Sequence, residues 1–240
     1  MSKDIWYKEF GFSSNPFSIK PAVFDNEMFG NDSVTTKIVK KINDGEMVFI
    51  SGEFGMGKTM ILKKIVGEFR GRGLGEKRVI YYNCDSSERA IDYDSLLINA
   101  GGFLRRLFGI RKKGMILLLD EMQGMNKKDM ERVKEYYDDG FFKSVVFVGK
   151  EDEAEFSDEL VEAIGGNRFV LGKMSGKEAV KMVRKRIGGL KFLGDDMILK
   201  IFKKDGNSRN FLKNCEDVCR VAFEDGAKAV SAWHVDRVFG

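Results

Sequence analysis

The chain has 240 residues, enough for one large domain or a main domain with a small satellite, and ample for a buried core. Its formal net charge of +4 is mildly basic, so an acidic partner such as nucleic acid is permitted but not required. No apolar run approaches the ~18 residues of a membrane span, MSKDIWYKEF lacks the apolar stretch of a signal peptide, and three cysteines without metal-type spacing point to a reducing compartment; a cytoplasmic protein with no membrane partner is expected.

Residues 1–30 hold both prolines, Pro16 and Pro21, and many aromatics (Trp6, Phe10, Phe17, Phe24 and Phe29 among them), which predicts an irregular arm packed on a body. A helix is expected over 32–43, capped by Asp32 or Ser33. EMVFIS (46–51) reads as a strand, followed by a glycine-rich loop and a helix to Phe69. RVIYYN (78–83) is a second strand, and 95–108 a helix weakened by two glycines. MILLLD (115–120) and SVVFVG (144–149) are strands apolar on both faces, with a helix over 126–140 between them, and RFVL (168–171) is a fifth strand. Continuous apolar strands alternating with helices indicate a parallel sheet covered on both faces. After Leu171 the pattern becomes helical: SGKE (175–178) has the form of a capping box, and helices are expected to 187 and near 194–204, 208–225 and 231–238. The expected division is an arm (1–30), an α/β core with a parallel five-stranded sheet (31–171) and a small all-helical lid (172–240).

The loop GEFGMGKT (52–59) fits G-x-x-x-x-G-K-[ST]. Glycines let backbone N–H groups turn toward phosphate oxygens, and the following helix adds the positive end of its dipole. Lys58 would reach the β- and γ-phosphates, and the Thr59 hydroxyl would bind Mg2+. The loop sits between a buried strand and a helix, the context that the chemistry demands. Asp120 and Glu121 end the third strand, at the edge where open parallel sheets bind ligands. There Asp120 would hold Mg2+ and Glu121 would polarise an attacking water. A glutamate aimed at water favours hydrolysis over transfer to a small-molecule acceptor, although a phosphotransferase remains an alternative.

With these residues in place, the chain resembles an AAA+ ATPase, a P-loop NTPase, and most of all the branch of origin-recognition initiators, ExeA-like and transposition-helper ATPases. The resemblance rests on NPF (15–17), GEFGMGKT (52–59), YYNCDS (81–86), LLLDEMQ (117–123), VVFVGKEDE (145–153), GGNRFVLGKMSGKEA (165–179) and GNSRNFLKNCEDVCRVA (206–222). It implies ATP and Mg2+ as ligands, with Gly52, Glu53, Phe54, Gly55, Met56, Gly57, Lys58, Thr59, Met60 and Asp120 around the phosphates and metal. It implies that Arg168 acts as an arginine finger toward a neighbouring subunit. Arg209 would be the lid arginine that senses the γ-phosphate, and Pro16 and Phe17 would line the adenine pocket. It further implies a homo- or hetero-oligomer that acts on DNA or a DNA-bound protein. Many such ATPases end the fourth strand in Asn, Ser or Thr; here Gly149 and Lys150 stand there, and Gln123, Lys150 and Glu151 all remain open as substitutes. Slow turnover, and so an ATP-dependent switch or scaffold, is the alternative that this departure raises. Basic runs at 105–114 and 181–187 are solvated faces or a nucleic-acid surface, with Lys112 and Lys113 expected at the edge opposite the nucleotide. No DNA-reading winged helix fits after the lid, so sequence-specific reading is not expected of this chain.

Overall fold

The apolar runs form the centre of the first of two structural units. The computed structural model describes residues 6–19, 30–69, 78–86, 90–150 and 156–240. Pro21, Phe24, Phe29 and Glu151, singled out above, lie outside the described residues. Five strands, β1 (Val48–Ser51), β2 (Val79–Asn83), β3 (Met115–Asp120), β4 (Phe142–Gly149) and β5 (Arg168–Val170), pair in the order β2-β3-β4-β1-β5. Every neighbouring pair is parallel. Side chains alternate across the pleat: Met47, Phe49, Met115, Leu117, Leu119, Val145 and Phe147 share one core cluster. Val48, Ile50, Ile116, Leu118, Val146 and Val148 point the other way and are buried as well. The sheet is therefore covered on both faces, which is why β1, β3 and β4 carry so few polar residues.

The helices around it are α1 (Asp32–Asn43), α2 (Lys58–Glu68), α3 (Tyr93–Ala100), α4 (Phe103–Leu107), α5 (Lys127–Asp138) and α6 (Asp158–Ile164). The helix expected over 95–108 is divided. α3 starts earlier, on the cap Asp92, which accepts from Ser95 N, and it ends at Gly101, whose backbone is extended. The exposed side chains of Phe103, Leu107 and Phe108 then belong to α4 and the turn after it. α6, capped by Ser157, has no counterpart in the expectations. β1 begins at Val48 and β4 already at Phe142.

The second unit holds the arm and α7 (Gly176–Ile187), α8 (Asp195–Lys204), α9 (Ser208–Glu224) and α10 (Ala232–Phe239). Of the described residues, those up to 31, 55–57 and 172–240 belong to this unit, and the others belong with the sheet. Trp6, in a short 3-10 turn, and Phe17 belong to this unit's core, together with Phe211, Cys215, Val218 and Cys219 of α9. The third cysteine, Cys84, is buried in the sheet unit. No helix among the described residues is long and apolar enough to cross a membrane.

The capping box forms as expected: Glu178 N donates to Ser175 Oγ, and the Glu178 carboxylate accepts from Ser175 N at 2.7 Å. The Ser175 hydroxyl and N–H hold the Glu178 carboxyl below its ordinary 4.5. A depressed carboxyl stabilises the folded chain above its unfolded pKa, and that contribution fades as pH falls through the folded value. Ser175→Ala should cost about 1 kcal/mol in urea unfolding at pH 7. The advantage of wild type over Glu178→Gln should be present at pH 7, begin to fade near the ordinary glutamate value of 4.5 and be lost as pH falls through the lower folded value; an advantage that persists at low pH would assign it to packing.

Candidate functional site

The strand order builds the site. β4 lies between β1 and β3, so the loop leaving β1 and the acidic pair ending β3 flank one strand end, at Gly149. Ligands of open parallel sheets bind outside the carboxyl ends of the strands, where the order reverses.

The loop from Gly52 leads into α2, which opens at Lys58. Gly55 and Gly57 have φ of +84° and +95°, a region that side-chain-bearing residues rarely enter, so the spacing of the glycines is a backbone requirement. Lys58 is only 9% exposed, although it sits at a helix start. Its ammonium donates to the carbonyl of Gly52 at 2.6 Å and approaches that of Glu53 at 3.4 Å. Its hydrogen bonds go to neutral carbonyls, with the charge of Asp120 acting on it without a hydrogen bond, and the first N–H groups of α2 lack acceptors within the helix. Both features favour an anion. Ser51 Oγ, just before the loop, is buried without a partner. Thr59 and Glu53 are exposed, Met56 and Met60 half-buried, and Phe54 is 68% exposed, a large ring held in water directly beside the glycines.

Asp120 is 5% exposed at the end of an otherwise apolar strand. Burial pushes its carboxyl above the ordinary range, opposed by hydrogen bonds from the Tyr81 hydroxyl at 3.0 Å and the Glu121 N–H at 3.0 Å, and by the charge of Lys58. Burial and this carboxylate push the Tyr81 phenol up to about 12, so it remains a donor. A partly compensated buried carboxylate and an exposed threonine hydroxyl are donor types suited to Mg2+, which takes one or two carboxylates plus phosphate oxygens and water. Glu121 follows in the left-handed region, φ 51° and ψ 49°, a strained conformation for a residue with a side chain. Its carboxylate accepts from Gln123 Nε2 at 2.7 Å.

Arg168 opens the edge strand β5 opposite Phe49 and is exposed. Its guanidinium lies 5.7 Å from the Phe49 ring centre and 5.5 Å from that of Phe156. Asn167, just before it, is tied to the Met47 carbonyl and the Glu46 carboxylate, and this fixes where β5 starts. Arg209 is the second residue of α9 and exposed, with its N–H on the Asn207 cap. Pro16 and Phe17 are buried within the helical unit, and Phe17 stacks on Trp6 with centroids 5.9 Å apart. An adenine stacked on Phe17 would have to displace that packing. Lys113 is committed locally, donating to the Asp139 carbonyl and lying over the Phe141 ring. Tyr81 opens the YYNCDS stretch, but nothing in the sequence assigns it a role at the site: its link to Asp120 spans 39 positions and leaves no local signal.

The sequence matches a family described as an AAA domain over residues 44–167, just over half of the 240. The chain belongs to this family. The AAA domain fold, a parallel sheet with the helical unit that follows, recurs in solved structures of low identity. Cdc6p from Pyrobaculum aerophilum is similar with a TM-score of 0.64 and 12% identity, over 90% of this chain and 67% of that one. A RuvB mutant from Thermotoga maritima gives 0.67 and 16%, over 89% and 70%. The Orc1 protein of Aeropyrum pernix in complex with DNA gives 0.63 and 15%, over 94% and 68%. The AAA domain chain thus spans about two thirds of the length of these proteins. No curated protein matches its sequence. The recognition as an AAA+ P-loop protein holds, as does the five-stranded α/β fold, which the origin-recognition and RuvB structures share.

Because a neutral amide is cheaper to bury than a carboxylate, Asp120→Asn in metal-free, nucleotide-free buffer should raise the melting temperature by a few degrees, about 1 kcal/mol. A lowered melting temperature would show that Tyr81, Lys58 and the Glu121 N–H more than compensate the charge.

Proposed function

We propose that this AAA domain binds ATP with Mg2+ at residues 52–60 and hydrolyses it, and that turnover changes the conformation of an oligomer acting on DNA or on a DNA-bound protein. The observation that carries the reading is the pair of buried charged side chains, Lys58 and Asp120, flanking one strand end. Mg2+ held by Asp120 and the Thr59 hydroxyl would neutralise phosphate charge. Lys58 would exchange its loop carbonyls for β- and γ-phosphate oxygens. Glu121 would orient the attacking water and accept its proton. Arg168, exposed on the edge strand and steadied by two aromatic rings, would serve a neighbouring subunit's nucleotide, and Arg209 would register the γ-phosphate. The DNA part of the reading is supported by the fold shared with an Orc1 protein solved with DNA and by the exposed Arg105 and Arg106 of α4. The arm, the core and the helical lid are proposed as the functional divisions, with a cytoplasmic setting. A second reading, an ATP-dependent switch with little turnover, is favoured by Gly149, which ends β4 without a side chain.

Steady-state hydrolysis against protein concentration, with and without DNA, separates these readings. Specific activity should rise with concentration. Glu121→Gln should lower it about 100-fold or more while ATP still binds, and Arg168→Ala about 1,000-fold. Stimulation by DNA that weakens with salt would support a nucleic-acid partner. ATP binding without turnover in wild type under every condition would replace hydrolysis with the switch.

A further inference from the structure

The end of β4 lies between the glycine loop and the acidic pair, and Gly149 leaves it without a side chain of its own. The space there is nonetheless filled. A Cβ on Gly149 would stand 2.8 Å from Met122 Cγ and 3.2 Å from Gln123 Oε1. Met122 and Gln123 belong to the 3-10 turn that follows β3, and Met122 is fully buried. That turn cannot slide. Gly124 N donates to the Glu121 carbonyl at 3.0 Å, and a Cβ on Gly124 would meet the Cys84 carbonyl at 2.6 Å, so the turn is pressed against the chain just after β2.

The two ends of the Gln123 amide have opposite fates. Nε2 donates to Glu121 Oε2 at 2.7 Å. Oε1 is buried beside Gly149 and accepts from no group among the described residues. Buried polar atoms are rarely left without partners. Turning the amide over would set its oxygen against a carboxylate oxygen, acceptor on acceptor, and would lose the bond to Glu121. The orientation is therefore set by the glutamate, with an orphaned oxygen as the consequence. Glu121 has a strained backbone, and a side chain leaving such a backbone is aimed only if something holds its far end.

We propose that Gln123 is a positioning residue for Glu121, its amide N–H fixing the carboxylate from the space that a side chain at the end of β4 would otherwise occupy. This rests on the hydrolysis reading above. It chooses among the candidates that the sequence left open, and it gives a reason for glycine at 149: any larger residue there would compete with Met122 and Gln123 for the same volume.

The test is a kinetic cycle on the full chain, with kcat and KM for ATP measured for wild type, Gln123→Leu, Gly149→Ala, Glu121→Gln and the Glu121→Gln/Gln123→Leu double variant, using single turnovers where rates are low. Leucine keeps most of the volume and removes the donor. Gln123→Leu should lower kcat about 10- to 100-fold with KM nearly unchanged, the pattern of an interaction that matters in the transition state. In the Glu121→Gln background the same change should have almost no further effect, because the group it acts through is already gone. Gly149→Ala, which touches no reacting group, should reproduce the loss by displacing the amide. Gln123→Asn, one methylene too short to reach Glu121, supplies a polar variant if leucine prevents folding, and it too should lose kcat. An unchanged kcat in Gln123→Leu or Gln123→Asn overturns the proposal, as does a full multiplicative loss on top of Glu121→Gln. Wild type that binds ATP without turnover overturns the hydrolysis reading and this inference with it. Active wild type with unimpaired Gln123 variants overturns the inference alone.

Discussion

A carboxylate at the end of a fully apolar strand is the constraint on which the site depends. Met115 through Leu119 commit β3 to the middle of the sheet, and Asp120 is carried inward with them. Once there it needs donors. The fold supplies a phenol from β2 and the next residue's own N–H, and adds the charge, though no hydrogen bond, of a buried ammonium from beyond β1. The phenol and the ammonium depend on the parallel order that puts β2 beside β3 and β1 on the far side of β4. Depth of burial, strand order and placement of the lysine are one requirement seen three ways.

The same edge accumulates features that stability alone would remove. Asp120 is desolvated, Lys58 is held by neutral carbonyls, Glu121 sits in a left-handed backbone, and Ser51 Oγ and Gln123 Oε1 are buried without partners. Away from this edge Ser175 and Glu178 cap each other, and Asn167 satisfies both Glu46 and a strand carbonyl; the indole N–H of Trp6, in the helical unit, is the one other buried side-chain polar atom without a partner among the described residues. Concentrated local cost at one strand edge is what a site kept for a ligand looks like.

Much of this was legible in the sequence, for reasons that are themselves physical. β1, β3 and β4 announce themselves because burial on both faces removes polar residues from a run. The glycine loop and the Asp120–Glu121 pair are readable because their chemistry is contiguous. The contacts that tune them are not contiguous. Tyr81 reaches Asp120 across 39 positions, and Asn167 reaches Glu46 across 121, so only folding reveals them. α6 has seven residues, too few for a periodic signal to stand out. The division of the helix over 95–108 turned on Gly101, whose extended backbone ends α3 where the composition had indicated only weakening. Gln123 was visible as one candidate of three. What singles it out, the volume above Gly149, is a property of packing that no local pattern encodes.

The free cysteines have a practical consequence. Burial pushes the Cys84 thiol up to about 12 and those of Cys215 and Cys219 well above their ordinary value. Only thiolates react readily with alkylating reagents, so in the native chain all three should be silent. One lies in the core of the sheet unit and two in that of the helical unit. The chain therefore carries its own reporters of local opening: modification at 84 records when the sheet unit exposes its interior, and modification at 215 and 219 records the helical unit, with no label introduced.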